Sequence, residues 1–238
     1  MKTFADRIIR FNKNLRFDLK LPKGIQVMNP FTEDGAMKIS SLFYKRYYSD
    51  DHPRFLILGI NPGRFGAGYT GVPFTDTKRL IADCGIEFPG PVTHEPSSVF
   101  VYEVIKAMGG AKAFYRNFFI QSICPLGFTI RNDKGRDVNY NYYDSKELQE
   151  AVMPFILDSI NKILKIGIHR DIVFCFGSGK NLKFIEQLNR EYQFFKEIIP
   201  LEHPRFIMQY KSKSKQAYID KYVRSFHQAI DKKKSKKK

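Results

Sequence analysis

The chain has 238 residues, of which 43% are hydrophobic and 27% charged, and 40 Lys and Arg residues against 24 Asp and Glu residues give a formal net charge of +16. This composition excludes disorder over most of the chain, and no stretch approaches the roughly 20 apolar residues of a membrane-spanning helix. Its three cysteines, Cys84, Cys124 and Cys175, lack the spacing of a metal-binding set. We therefore expect reduced core thiols in a cytosolic, monomeric protein that has no metal or cofactor and does not bind membranes.

The predicted elements alternate between helices and strands. Helical spacing of apolar side chains predicts helices over residues 4–15, 99–108, 145–166, 181–192 and 216–230. Short, nearly continuous apolar runs predict buried strands over residues 55–60, 117–123, 171–176 and 194–201. This alternation predicts an α/β three-layer sandwich with a central, mostly parallel, four-stranded sheet. We expect a single domain over residues 1–230 and a disordered lysine-rich tail over residues 231–238.

The loops after the four strands are the candidate site, because ligands of open parallel sheets bind at the carboxyl ends of the strands. These loops begin at Asn61, Cys124, Gly177 and His203. The tetrapeptide His-Pro-Arg-Phe occurs twice, starting at His52 and at His203. Since only the second copy follows a strand, we expect His203 at the site and His52 at the opposite edge of the sheet.

Two segments of the sequence partly resemble nucleotide-binding motifs but do not match them. A phosphate-binding loop over residues 174–181 would need glycine at Phe174 and Ser or Thr at Asn181. The glycines of residues 63–68 run G-x-x-G-x-G, the reverse of the dinucleotide-binding order. The sequence therefore predicts neither a nucleoside triphosphate nor a nicotinamide site.

The carboxyl-terminal end of the chain is strongly basic. Residues 203–238 contain twelve Lys and Arg residues and two acidic residues. Such a segment favours a polyanionic partner, and nucleic acid more than a membrane surface. The residues that we expect to contact phosphates follow His203 directly: Arg205, Lys211, Lys213 and Lys215. The lysines of residues 232–238 are expected to act as a nonspecific tether.

Two further residues have both a functional and a purely structural interpretation. Asn61 ends a buried strand with a carboxamide that can orient a water molecule, although Asn-Pro-Gly is also a common turn sequence. Phe74 follows a rigid bend and is suited to stacking on a planar ligand, although a buried core position is the default in a protein with 22 phenylalanines. Composition and spacing alone leave both alternatives open.

The longest recognisable motif surrounds Asn61. It runs Gly59-Ile60-Asn61-Pro62-Gly63-Arg64-Phe65-Gly66 and is followed by Thr70-Gly71-Val72-Pro73-Phe74. It resembles the first motif of the single-strand-selective monofunctional uracil-DNA glycosylases, within the uracil-DNA glycosylase superfamily. The resemblance continues in order through three further segments, residues 24–30, 124–126 and 203–204. Because the chain departs from the family pattern at some positions, it resembles a divergent bacterial-type subgroup of the family. This resemblance implies that the protein is in the bacterial cytosol.

The resemblance implies a DNA glycosylase that hydrolyses the N-glycosidic bond of uracil in single-stranded or double-stranded DNA, for base excision repair, without lyase activity. It implies that Asn61 holds the attacking water and that His203 donates a hydrogen bond to the base oxygen that gains negative charge. Phe74 would stack on the flipped base, and the backbone of Gly63 and Phe65 would line the pocket.

This chain departs from the family pattern at two places. Ser122 stands where the family has the Asn that reads the base edge, so we expect weaker uracil discrimination and activity on xanthine or hypoxanthine. The family's His-Pro-Ser-Pro-Arg is replaced by His203-Pro204-Arg205-Phe206, which makes Arg205 and Phe206 the candidates for the wedge that fills the vacated stack. The departures leave open a non-catalytic nucleic-acid-binding protein on a degenerate glycosylase scaffold. A small-molecule hydrolase would explain neither the motif nor the basic end.

Overall fold

The computed structural model describes residues 2–32 and 34–235. Its central sheet has four parallel strands in the order β3-β2-β6-β7. The strands are β2 (Arg54–Gly59), β3 (Phe118–Ser122), β6 (Ile168–Phe176) and β7 (Glu197–Leu201). All six residues of β2 are buried, as its continuous apolar run predicts for a strand covered on both faces. The predicted α/β sandwich with a four-stranded parallel sheet is confirmed.

Helices cover both faces of this sheet. Within β3, Phe118 packs against Phe226 at 4.6 Å between ring centroids, whereas its neighbour Phe119 packs against Phe4 at 5.5 Å. Consecutive strand residues point to opposite faces, so the helices that carry Phe226 and Phe4 form the two outer layers. The helices are α1 (Phe4–Lys13), α2 (Asp34–Tyr47), α3 (Ala67–Thr70), α4 (Thr77–Cys84), α5 (Pro96–Ala107), α6 (Ala111–Tyr115), α7 (Lys146–Leu164), α8 (Lys180–Tyr192), α9 (Pro204–Tyr210) and α10 (Lys215–Ser235). Short 3-10 turns span Pro30–Thr32 and Ser212–Ser214.

A second, antiparallel sheet lies beside the first and was not predicted. It consists of β1 (Ile25–Met28), β4 (Gly127–Arg131) and β5 (Asp137–Tyr140), in the order β1-β4-β5. In β1 and β5 the two central residues are exposed and the end residues half-buried, which gives no apolar alternation to detect. This sheet brings the backbone of Tyr140 next to the loop that follows β2.

The predicted disordered tail is wrong for residues 231–235. The helix α10 continues to Ser235, and its buried side chains Ile219, Tyr222, Phe226 and Ala229 recur at helical spacing. Lys232 extends this attachment with an ion pair to Glu197, at 3.1 Å between Nζ and Oε2. Residues 236–238, which were also predicted to be disordered, lie outside the described part of the chain.

The three cysteines are buried free thiols, in agreement with the expectation of core thiols. Burial raises the pKa of Cys124 and of Cys175 to about 12, so both remain protonated and unreactive at neutral pH. Among the described helices, none combines the length and the apolar character that a membrane crossing requires.

Candidate active site at the carboxyl edge of the parallel sheet

A cavity of about 1150 Å³ lies at the carboxyl edge of the parallel sheet. The loops after three of the strands contribute to its wall, with Asn61 after β2, Gly177 after β6 and His203 after β7. The end of β3 contributes Ser122. His52 precedes β2, is exposed and does not line the cavity. The structure therefore places the two His-Pro-Arg-Phe segments at opposite edges of the sheet, as the chain order predicts.

The side chain of Asn61 is held by the last residue of β5 and the loop that follows it. Its Oδ1 atom accepts a hydrogen bond from the backbone N–H of Tyr142 at 3.1 Å, and its Nδ2 atom donates to the backbone carbonyl of Tyr140 at 3.3 Å. These opposite contacts fix which end of the carboxamide is oxygen. The second lone pair of Oδ1 remains able to accept a hydrogen bond from a water molecule at the cavity wall.

The loop that holds Asn61 is in turn anchored to helix α8. The hydroxyl of Tyr142 donates to Oδ1 of Asn181 at 2.8 Å, and Nδ2 of Asn181 donates to the carbonyl of Phe176 at 3.2 Å. Both side chains are buried, so the chain of bonds from β6 to Asn61 is shielded from water. Asn181 stands where a phosphate-binding loop would have Ser or Thr. Its side chain instead joins Tyr142 to the end of β6 through these two hydrogen bonds.

Phe74 occupies the cavity wall with an unusual backbone conformation. Its φ of 53° lies in the left-handed region, which non-glycine residues rarely adopt. The ring is half-buried and lies 5.7 Å from the His203 ring and 5.3 Å from the Phe176 ring, centroid to centroid. A Cβ atom at Gly59 would come within 2.8 Å of Phe74 Cε2, so the glycine is required for this ring position.

His203 is the N-cap residue of α9. Its Nδ1 atom accepts a hydrogen bond from the backbone N–H of Arg205 at 3.1 Å. Burial, reinforced by the positive charge of Arg205, lowers the pKa of His203 to about 4. The imidazole is therefore neutral at pH 7, and because Nδ1 accepts, the single ring proton is on Nε2. The site thus contains a neutral donor whose tautomer is fixed by the helix.

Three further predicted site residues also line the cavity. Ser122 is buried and lies opposite Gly59 in the register of β3 and β2. Gly63 lies on the wall, whereas Phe65 is 48% exposed and stands at the rim. Ser122 therefore faces the inner part of the cavity and Phe65 its entrance.

The basic and aromatic residues after His203 form the other side of the rim. Arg205 is exposed and Phe206 is 41% exposed, and both line the cavity. Tyr210, which sequence reasoning did not select, lies 5.5 Å from the Phe206 ring and is 64% exposed.

The three lysines predicted to contact DNA differ in their surroundings. Lys211 and Lys213 are exposed just beyond α9. Lys215 is instead half-buried, and its Nζ atom lies 2.7 Å from Oε1 of Glu103. The phosphate contact of Lys215 stays a prediction, and its charge is paired with a carboxylate of α5.

Sequence reasoning missed Glu95, an acidic residue in the cavity wall. Its carboxylate lies against the turn after β2, since a Cβ atom at Gly66 would come within 2.5 Å of its Oε2 atom and one at Gly63 within 3.2 Å of its Oε1 atom. Burial and the nearby Asp76 raise the pKa of Glu95, while Arg205 and a hydrogen bond from the backbone of Phe65 oppose the shift. Glu95 precedes α5 and follows no strand, so the strand-end argument could not find it.

The chain is similar to known proteins in sequence and in fold. Residues 46–227 match the family model of the uracil DNA glycosylase superfamily. The single-strand selective monofunctional uracil DNA glycosylase of Mus musculus is 28% identical over 143 residues, which are 52% of this chain and 50% of that protein. The match thus spans about half the length of this curated relative. The crystal structure of wild-type SMUG2 from Pedobacter heparinus is 56% identical, with a TM-score of 0.95, covering 97% of this chain and 100% of that one.

Proposed function

We propose, because the chain belongs to the uracil DNA glycosylase superfamily, that it is a DNA glycosylase that hydrolyses the N-glycosidic bond of uracil in DNA and so starts base excision repair. The observation that carries the proposal is the presence of Asn61, Phe74 and His203 on the wall of one cavity. Together these groups can position a water molecule, hold a planar base and donate a hydrogen bond to it.

His203 acts on the departing base. As the bond between C1′ and the base nitrogen breaks, its electron pair moves onto the base and negative charge grows on a ring carbonyl oxygen. The Nε2–H of the neutral imidazole donates to that oxygen and binds it more strongly as the charge develops. Phe74 stacks on the base after it has left the helix, which a single strand permits at a lower cost than a duplex.

Asn61 acts on the water. Its free Oδ1 lone pair accepts a hydrogen bond from the water, which directs a lone pair of the water oxygen toward C1′. The sugar becomes cationic as the base departs, and the water oxygen then forms the new bond to C1′ and releases a proton to solvent. The departing base anion takes up a proton from solvent, so the products are the free base and an abasic site, with the DNA strand intact. Water, and not a lysine side chain, forms the new bond to C1′, so no covalent enzyme–DNA intermediate arises and the activity is monofunctional.

The substrate range extends beyond uracil in this proposal. The Ser122 hydroxyl can turn to donate or to accept, so it does not impose the pattern of one base edge as an Asn side chain would. The cavity of about 1150 Å³ is also large enough for a purine. We therefore include xanthine and hypoxanthine as substrates.

The protein acts as a monomer in the bacterial cytosol. It binds DNA through the basic residues at the rim of the cavity. Lys211 and Lys213 contact phosphates, and Arg205 and Phe206 enter the space that the flipped base leaves. The formal net charge of +16 supports an affinity that falls as salt concentration rises.

The test uses single-stranded and duplex oligonucleotides that each carry one uracil, xanthine or hypoxanthine. After incubation, alkali cleaves any abasic site, and borohydride is added to parallel reactions to trap a covalent enzyme–DNA intermediate. We expect alkali-dependent cleavage of the uracil strands and no trapped adduct. Salt-sensitive binding without any abasic product would instead support a non-catalytic DNA-binding protein, and a trapped adduct would refute the monofunctional mechanism.

A further inference from the structure

A second groove, of about 620 Å³, lies next to the active-site cavity. Phe65 lines both, so the groove is continuous with the rim at which the target base enters. Arg64, from the loop after β2, also lines the groove. The other side chains come from β1, α2, α3 and the loop after α4, among them Met28, Ile39, Tyr69 and Phe88. None of these residues has a role in the hydrolysis described above.

Arg64 gives the groove an unsatisfied donor. Its Nε atom is buried and has no hydrogen-bond partner among the described residues. The guanidinium carbon lies 4.9 Å from the centroid of the Phe65 ring, so the side chain is held against an aromatic face. A buried guanidinium nitrogen is normally paired, so the lack of a partner among the described residues favours a ligand whose oxygen atoms approach the guanidinium when it binds.

The aromatic side chains of the groove are unusually open to solvent. Phe65 is 48% exposed and Tyr69 is 37% exposed. Phe88 is half-buried and meets Tyr69 edge to face, at 6.4 Å between ring centroids. Exposed aromatic rings beside an arginine are typical of surfaces that bind single-stranded nucleic acid by stacking on its bases.

We propose that this groove binds the nucleotide next to the target in single-stranded DNA. Its base stacks on Phe65 and Tyr69, and its phosphate accepts a hydrogen bond from Arg64. This inference rests on the proposed glycosylase function and adds a subsite to it. A neighbouring base can enter only when it is neither paired nor stacked, so the groove favours single strands over duplex DNA.

The first experiment observes the neighbouring base directly. Single-stranded oligonucleotides carry 2′-fluoro-2′-deoxyuridine, which resists hydrolysis, with 2-aminopurine placed on its 5′ side in one oligonucleotide and on its 3′ side in the other. Stacking on a protein ring changes 2-aminopurine fluorescence, and we expect a change on binding for one of the two. We expect Tyr69→Ala to remove this change and Tyr69→Phe to retain it.

The second experiment compares affinities for single-stranded and duplex forms of the same target. Tyr69→Ala and Arg64→Gln should each raise the Kd for single strands about tenfold, as loss of one stacking or phosphate contact does, and the Kd for duplex less than about twofold. Tyr192→Ala is the matched control, since Tyr192 is 41% exposed on α8 and lines neither pocket. Thermal melting of each variant verifies that it is folded.

Three results would overturn the subsite. These are an unchanged 2-aminopurine signal with both oligonucleotides, equal loss of affinity for both DNA forms in the folded variants, or a protein dimer that Tyr69→Ala dissociates. The last result would assign the groove to a second copy of the chain. Failure of the proposed function is distinct, because it would appear as absence of base release from every substrate, whatever the fluorescence shows.

Discussion

The protonation state of His203 is the most informative property of the site to perturb. An ordinary histidine with a pKa of about 6.5 would be roughly three-quarters protonated at pH 6. With the pKa at about 4, His203 is about 1% protonated at that pH. A neutral Nε2–H donor is thus present throughout the physiological range, and we expect the single-turnover rate of uracil release to change little between pH 5.5 and 8.

The same shift makes the stability of the protein depend on pH. Because the folded state holds a pKa of about 4 and the unfolded chain one of about 6.5, the unfolded state binds more protons between these values. The contribution to the free energy of unfolding is therefore present above pH 6.5 and is lost as pH falls toward 4, by about 3 kcal/mol. His203→Gln removes this dependence, so the difference between wild type and variant isolates it.

Two assays measure these effects. The Hε1 resonance of His203, identified by its loss in His203→Gln, is followed by NMR from pH 8 to pH 4, and urea unfolding is measured for both proteins at pH 7 and pH 5. We expect a titration midpoint near 4 and a wild-type stability that falls more steeply than that of the variant. A midpoint near 6.5 would contradict the lowered pKa of His203, and a rate of uracil release that falls as His203 loses its proton would refute the neutral-donor mechanism.

Substitutions at three positions test other parts of the site by single-turnover excision of uracil from single strands. Asn61→Ala should lower the rate about 100-fold or more while DNA binding persists, and a loss of binding instead would show that Asn61 acts through the loop it anchors. Gly59→Ala places a Cβ atom 2.8 Å from Phe74 Cε2 and should cost about 1–3 kcal/mol of stability and at least about tenfold in rate; an unchanged rate would contradict the stacking role of the ring. Glu95→Ala should slow excision about tenfold because the turn at Gly63 loses its support, whereas Glu95→Gln retains an acceptor and most of the rate; equal losses would mean that the negative charge itself is needed.

The part of the fold that the sequence predicts is the parallel sheet, in which β2 and β3 are buried throughout. Residues 55–60 form a continuous apolar run because β2 lies between two neighbours and beneath helices on both faces. Once the strands are recognised as parallel, their carboxyl ends must share one edge, and this alone brings Asn61 and His203 to the same cavity.

The remaining parts depend on contacts that leave no local pattern. The strands β1 and β5 are exposed at their central residues, so their pairing with β4 has no periodic signal. Lys215 forms its ion pair with Glu103, which lies far from it in the chain. The sequence of a lysine-rich segment does not show which of its lysines form ion pairs in the folded protein. The buried side chains of α10 all precede residue 230, and its last turn consists mainly of lysines. The end of the helix therefore has no apolar spacing from which it could be predicted.

Glu95 and Arg64 show the same limit at the site itself. Glu95 reaches the cavity only because Gly63 and Gly66 lack side chains on the surface that faces it. Arg64 belongs to the most recognisable motif of the chain, yet its unpaired Nε atom is visible only in three dimensions. Motifs identify which residues are present, and packing decides which of their atoms remain available to a ligand.

The most direct test of the account is the release of free uracil from a single-stranded oligonucleotide, measured by mass spectrometry for wild type, Asn61→Ala and His203→Ala at pH 7.5. We predict stoichiometric free uracil and an abasic strand with the wild type, and rates about 100- to 1000-fold lower in each variant with DNA binding preserved. No free uracil from the wild type, or full activity in either variant, would contradict the central claim that this sheet edge hydrolyses the glycosidic bond.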